Sequence, residues 1–361
     1  MLRLLAEQQQ FARSLLPQDV YDYYAAGSGD EVAVREAEAA WLDFRFRPRV
    51  LRDVSTVDLG VELFGATFHS PLGVAPMAFH GLAHPDGETE TIRGAGAAGV
   101  LTVISTRASR TLEDIAAAAT APWWFQVYVM QDRELTRALV ERAAAAGAGA
   151  IVLTGDTPYV GVKQRVSGVR FAVPQAEFLV NLARHLPPGA DAAAAAAQDP
   201  SVDLDAIAWL TEVSGLPVLV KGVLRGDDAC RCIDAGAAGL VVSNHGGRQL
   251  SRALPSAHAL TEVTAAVAGR VPVLVDGGVR CGVDAAVALA LGADAVLLGR
   301  PVLWALAADG ASGVCAALEA VQDDLAHAIA LLGCCTLGDL DRSVLTGTAG
   351  AFPVAVRSTD A

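Results

Sequence analysis

The chain has 361 residues, of which 53% are hydrophobic and 19% charged, so it carries enough apolar content for one large core. Its formal net charge of −13 repels phosphate backbones and anionic lipid, which argues against a nucleic acid or a membrane surface as partner. The apolar start before Glu7 is too short for a secretory leader, and no run of about 18 uninterrupted apolar residues marks a membrane span.

The six cysteines, Cys230, Cys232, Cys281, Cys315, Cys334 and Cys335, fit neither a zinc site nor a secreted disulfide framework. They are expected to be reduced thiols of a cytoplasmic protein. The seven histidines show no pair at metal-binding spacing, so no metal is expected.

The first seventy residues precede the regular part of the chain and are expected to form a cap. Eight short apolar runs follow, each ending in polar residues or glycine: Leu72–Pro76, Leu101–Ser105, Trp124–Val129, Ala150–Asp156, Pro217–Gly222, Gly239–Gly246, Val271–Gly278 and Ala295–Pro301. Alanine-rich, helix-like segments such as Arg133–Ala150 lie between them. Continuous apolar strands alternating with helices predict parallel β/α units, because strands covered on both faces need no polar alternation. Eight such units predict an α/β fold of the (β/α)8 TIM-barrel type, over about 70–340 of a single domain, with an N-terminal helical cap. A doubly wound open sheet is the alternative architecture.

The fourth and fifth runs are separated by a long step holding Arg170–Leu210, whose middle, Pro187–Asp203, is of low complexity. A mobile insertion is expected at about 170–205, as a loop over the C-terminal face after the fourth strand. A lid and a disordered surface loop are both open readings.

Function in such barrels collects at the C-terminal strand ends. Those ends hold Pro76, Ser105, Gln126, Tyr128, Thr154, Asp156, Lys221, Ser243, His245, Asp276 and Arg300. Any one of them is explained as a satisfied cap or an ion-pair partner; the concentration of acids, bases and cations on one rim is what points to chemistry. VDGGVRCG and LLGRP place glycines with Arg280 and Arg300 after the last two strands, where barrels commonly hold a phosphate on backbone N–H groups. Tight turns alone would also explain the glycines. In SNHGGRQL, His245 is a candidate base, Arg248 a candidate carboxylate clamp, and Asp156 a partner for the imidazole. With Lys221 at the floor, the set suggests a phosphorylated cofactor and an anionic substrate.

At this point several segments are similar to one family. SNHGGRQL, VLVDGGVR, LLGRPV, VLVKGV, YDYYAAGSGDE (Tyr21–Glu31), FRPRVLRDVS (Phe46–Ser55), AHPDGE (Ala83–Glu88) and LLGCCTLGDL (Leu331–Leu340) resemble the FMN-dependent 2-hydroxy acid oxidases and dehydrogenases. The resemblance runs from about Tyr21 to Leu340, outside the low-complexity insertion. It implies that His245 takes a proton from a 2-hydroxy acid while electrons pass to FMN, with Asp156 stabilising the charged imidazole. Tyr128 would hydrogen-bond the substrate, and Arg248 and Tyr23 would grip its carboxylate. Lys221 would sit near the flavin and stabilise its anionic reduced ring. Pro76, Met77, Ala78, Ser105, Gln126, Thr154 and Ser243 would contact the ring and ribityl chain, and Asp276 would take a ribityl hydroxyl. Gly277, Gly278, Arg280, Gly299 and Arg300 would hold the phosphate.

Two positions depart from the family's pattern. Lys163 stands where an arginine usually binds the carboxylate, which keeps the charge but loses the planar fork; Arg165 is a candidate substitute out of register. Arg107 stands where the glycolate oxidases carry a tryptophan. It either favours a substrate with a polar or acidic tail or turns outward to an acidic neighbour.

Ala78, near the flavin, matches the family's oxidases rather than its mandelate dehydrogenases, so molecular oxygen is the expected acceptor. By analogy, 4-hydroxymandelate oxidases are attractive relatives. The resemblance also implies a homo-oligomer, a tetramer or octamer. Other readings are the same flavin chemistry on a larger peptide or secondary-metabolite substrate, a dehydrogenase using another acceptor, and a flavin-binding barrel without turnover.

Overall fold

The computed structural model describes residues 2–166, 173, 174, 178, 180–186, 191, 194 and 196–347. Three short strands, β1 (Phe44–Phe46), β2 (Val61–Leu63) and β3 (Ala66–Phe68), lead into eight longer-range partners. These are β4 (Leu72–Val74), β5 (Leu101–Ser105), β6 (Trp123–Val127), β7 (Ile151–Thr154), β8 (Val218–Val223), β9 (Gly239–Val242), β10 (Val273–Asp276) and β11 (Ala295–Leu298). They form a closed barrel, parallel throughout, in which β11 returns to β4 with Val296 opposite Leu72 and Leu298 opposite Val74. Each of the eight apolar runs is a barrel strand, and the open sheet is excluded.

The apolar runs are continuous because both faces are buried. On β6, Trp124 points into the barrel with Leu101, Val152, Leu219, Val241, Leu274 and Leu297. Its neighbours Trp123, Phe125 and Val127 face outward, into the larger core beneath the helices. The hairpin β2–β3 closes the end at which the strands begin, with Leu63 and Phe68 joining the inner core and Phe64 meeting Trp124 edge-on at 5.5 Å.

The N-terminal residues form the cap: helices α1 (Arg3–Leu15), α2 (Gln18–Ala25) and α3 (Val32–Ala39). α3 packs on the turn that follows β9, and the Trp41 Nε1 donates to the Gly277 carbonyl at 2.9 Å. β1 pairs antiparallel with β12 (Leu345–Gly347), so the strand that follows the helical cap meets the C-terminal end of the described chain.

One helix among the described residues, Arg300–Leu331, is long and apolar enough to cross a membrane, with mean hydropathy 1.4 in its richest window. It is a core helix here. It packs against α1 and the helices Glu88–Ala97 and Gly282–Ala290, and it breaks at Asp309 and Gly310, whose backbone angles are not helical.

Part of the expected mobile insertion, including half of its alanine run, lies outside the described residues. The described part is anchored to the rim. Gln198 bridges Met130, the Asn181 amide donates to the Arg110 carbonyl at 2.8 Å, and Leu182 and Ala196 are buried.

Candidate active site

The rim residues converge on a cavity of about 640 Å³ at the C-terminal end of the barrel. His245 follows β9 with φ of 59°, in the left-handed region that a side chain other than glycine's rarely enters. Such backbone costs on the order of 1–3 kcal/mol and persists only where its surroundings hold it. Here the His245 amide donates to Ser243 Oγ at 3.0 Å, and the Gly247 amide to Asn244 Oδ1 at 3.2 Å.

The imidazole Nδ1 lies 3.1 Å from Asp156 Oδ1 and 3.3 Å from Oδ2. A carboxylate there selects the Nδ1–H tautomer and leaves the lone pair on Nε2. Burial would raise the Asp156 carboxyl, but His245, with help from Lys221, holds it below the usual carboxylate range. Gln249 fixes the facing loop, donating to the carbonyls of Asp156 at 3.2 Å and Tyr159 at 2.9 Å.

Around this pair stand phenols and cations. Arg248 Nη1 donates to the carbonyls of Tyr23, Tyr24 and Ala26 at 2.9, 2.9 and 2.7 Å, and its guanidinium lies over the Tyr23 ring. Burial raises the pKa of Tyr128, reinforced by Asp156, so its phenol stays protonated. Burial also raises Tyr23, against the opposing pull of Arg248 and Arg107. Lys163 lines the cavity, donates to the Gly161 carbonyl at 3.0 Å, and is pushed down to about 8 by burial and by Arg248.

Below them, Lys221 is ion-paired with Asp276 at 2.9 Å, both side chains over nine-tenths buried, and donates to Ser243 Oγ at 2.7 Å. Ser105, Gln126 and Thr154 form one chain across β5–β7. Ser105 Oγ donates to Gln126 Oε1 at 3.0 Å, and Gln126 Nε2 to Thr154 Oγ1 at 2.9 Å.

The loop after β10 turns through Gly277 and Gly278, with φ of 100° and 81°. A Cβ on Gly278 would stand 2.0 Å from the Ala37 carbonyl oxygen of α3. Gly299 caps the N-terminus of the long helix, a position where backbone N–H groups and the helix dipole favour an anion.

The sequence comparison decides the family. The model described as FMN-dependent dehydrogenase matches residues 12–347. The chain belongs to that family. Among its relatives, an L-lactate oxidase of Nostoc sp. (strain PCC 7120) is 44% identical over 354 residues, covering 94% of this chain and 97% of the relative. A peroxisomal (S)-2-hydroxy-acid oxidase of Oryza sativa subsp. japonica is 41% identical over 343 residues, covering 93% and 94%. A crystal structure of a mandelate oxidase superposes with a TM-score of 0.88 at 40% identity, covering 96% of this chain and 99% of the other.

The residues of this FMN-dependent dehydrogenase suit the group its family uses. Asp276 Oδ1 is a buried acceptor with no hydrogen-bond partner, as a ribityl hydroxyl would require. A Cβ on Gly299 would meet only Met77 Sδ, at 3.6 Å, so the backbone is open to close approach. Pro76, Met77, Ala78, Ser105, Lys221, Asp276, Gly277, Gly278, Arg280, Gly299 and Arg300 all line the cavity; Gln126, Thr154 and Ser243 reach it through the hydrogen bonds above.

The cations differ in how they are held. Arg300 donates to the carbonyls of Tyr24 at 3.1 Å and Gly246 at 2.8 Å. Arg280 pairs with Glu38 at 3.0 Å, a neutralising acid that no sequence signal marked. Arg165 is not a substitute for an arginine at 163: it pairs with Glu31 at 2.6 Å, outside the cavity wall. Arg107 does not turn outward; it lines the cavity. Phe178, Ala196, Ala197, Gln198 and Pro200 line it too, so the described part of the insertion forms part of the cavity wall.

Proposed function

We propose that this FMN-dependent dehydrogenase oxidises (S)-2-hydroxy acids to 2-oxo acids with dioxygen as the acceptor, releasing hydrogen peroxide. The observation that carries the reading is the His245–Asp156 pair on a cavity shared with Arg248 and Lys163. A base and carboxylate-binding cations are what a 2-hydroxy acid requires at one place. The lactate, 2-hydroxy-acid and mandelate oxidases that the chain is similar to support it.

In this proposal Arg248, Lys163 and Tyr23 bind the substrate carboxylate and present its 2-carbon to the base. His245 accepts the hydroxyl proton at Nε2, and ionised Asp156 stabilises the resulting imidazolium through Nδ1. Tyr128, protonated throughout, donates to the substrate oxygen. FMN, when bound, would supply the two-electron chemistry that takes the pair from the 2-carbon and reduces dioxygen with it.

Asp276, Ser105, Gln126, Thr154 and Ser243, with Pro76, Met77 and Ala78, would hold the ring and ribityl chain. Gly277, Gly278, Gly299, Arg280 and Arg300 would hold the phosphate. Lys221, ion-paired with Asp276, would lie against the flavin and stabilise its reduced form. The phenyl-bearing acids of the mandelate oxidase neighbours are within this reading, and so is a homotetramer or octamer, which sedimentation analysis tests.

The test is the visible spectrum of the purified protein, mixed anaerobically with (S)-lactate and (S)-mandelate. Bleaching that recovers in air supports the reading; bleaching without recovery moves it to a dehydrogenase with another acceptor. His245→Ala should stay yellow and lose flavin reduction. Unchanged reduction in that variant would overturn the assignment of the base.

A further inference from the structure

The substrate side of the cavity carries more positive charge than one carboxylate needs. Arg280 and Arg300 are assigned to the phosphate in the function proposed above, and Arg165, outside the cavity, is paired with Glu31. Arg248 and Lys163 serve a single carboxylate in the function proposed above. Arg107 is left over.

Its guanidinium donates from Nη2 to the Ala196 carbonyl at 2.6 Å and stacks on the Phe178 ring at 4.7 Å. Its Nη1 is buried and has no hydrogen-bond partner. The groups that act on it electrostatically are the phenols of Tyr128 and Tyr23, not a carboxylate. A buried guanidinium with an idle donor destabilises the fold unless something fills that position, and an incoming anion does so best.

The placement is also ordered. Arg248 and Arg107 each act on both Tyr23 and Tyr128, so both cations share the cavity with the two phenols. The rings of Tyr23, Phe79 and Phe178 follow one another at 6.4 and 6.1 Å, an apolar wall running from one arginine to the other. Such a wall suits methylenes with an anion at each end.

We propose that Arg107 receives a second carboxylate of the substrate, so that the preferred substrate class is the 2-hydroxy dicarboxylates. The 2-hydroxy acid end lies on Arg248 and Lys163 and the distal carboxylate on Arg107. This rests on the 2-hydroxy acid oxidase reading above.

The test compares matched pairs that differ only in a terminal carboxylate or methyl: (S)-malate with (S)-2-hydroxybutyrate, and (S)-2-hydroxyglutarate with (S)-2-hydroxyvalerate. The readout is the ratio of kcat/KM within each pair for the FMN-loaded enzyme. The wild type should favour the diacid of at least one pair by about tenfold or more, the size expected of a charge-assisted contact. Arg107→Met should lower that ratio by about 10- to 100-fold, and Arg107→Lys should retain part of it. Binding of the matching 2-oxo diacid, read by calorimetry without turnover, should weaken in parallel.

A wild type that favours the methyl members of both pairs overturns the proposal, as does an Arg107→Met ratio within threefold of wild type. If lactate or mandelate reduces the flavin while both diacids fail, this proposal falls and the oxidase reading stands. If no 2-hydroxy acid reduces it, the oxidase reading itself has failed.

Discussion

Replacing Asp156 by Asn keeps the shape beside His245 and removes the charge. With Asp156 Oδ1 3.1 Å from Nδ1 and an effective dielectric of about 20, the attraction between carboxylate and imidazolium is about 5 kcal/mol. The two side chains are 21% and 16% exposed, and solvent trims this to about 3–4 kcal/mol. Because that charge pair exists only once the base has taken its proton, the loss falls on the barrier. The rate of flavin reduction should drop about 10²- to 10³-fold at saturating substrate. Anaerobic stopped-flow absorbance measures it directly, and flavin content per protein should match wild type. Reduction within fivefold of wild type would refute the argument, and so would a loss of rate that merely tracks loss of flavin.

Two further outcomes follow from the geometry. Gly278→Ala drives a Cβ to 2.0 Å from the Ala37 carbonyl at φ of 81°, so α3 must shift. A loss of about 2–4 kcal/mol in urea unfolding and at least about tenfold weaker FMN binding are expected, and unchanged values in both would count against the cradle. Burial and Arg248 push Lys163 down to about 8, so the cation proposed to bind the carboxylate is lost as pH rises through that value. kcat/KM should therefore fall above about pH 8, and Lys163→Arg should move the fall upward; a flat wild-type profile to pH 9.5 would exclude a role for the ammonium.

The barrel was legible because its strands are buried on both faces, which leaves continuous apolar runs in the chain. Most of the rim was legible for a related reason: a polar residue ending such a run has few places to point but into the mouth of the barrel. What the chain hid depends on contacts between distant segments. The pairing of Phe44–Phe46 with Leu345–Gly347 joins segments about three hundred residues apart, and three-residue strands have no readable period. Glu38 beside Arg280, and Glu31 beside Arg165, are ordinary surface acids until α3 and its flanks are docked. The direction of Arg107 was equally open in the sequence, since it depends on Phe178 and Ala196 in a segment of weak pattern.

The hold of Arg248 and Arg300 on the carbonyls of Tyr23, Tyr24 and Ala26 has a thermodynamic consequence. These two side chains line the cavity and also tie the N-terminal segment to a barrel more than two hundred residues further along the chain. Seating of that segment and affinity for substrate and cofactor are then linked functions. Each ligand that binds only the assembled site stabilises the seated arrangement by RT ln(1 + [L]/Kd), and each weakening of the N-terminal helices is felt as weaker binding. A substitution on the exposed face of α2, on the side away from Tyr23, can therefore masquerade as an active-site defect.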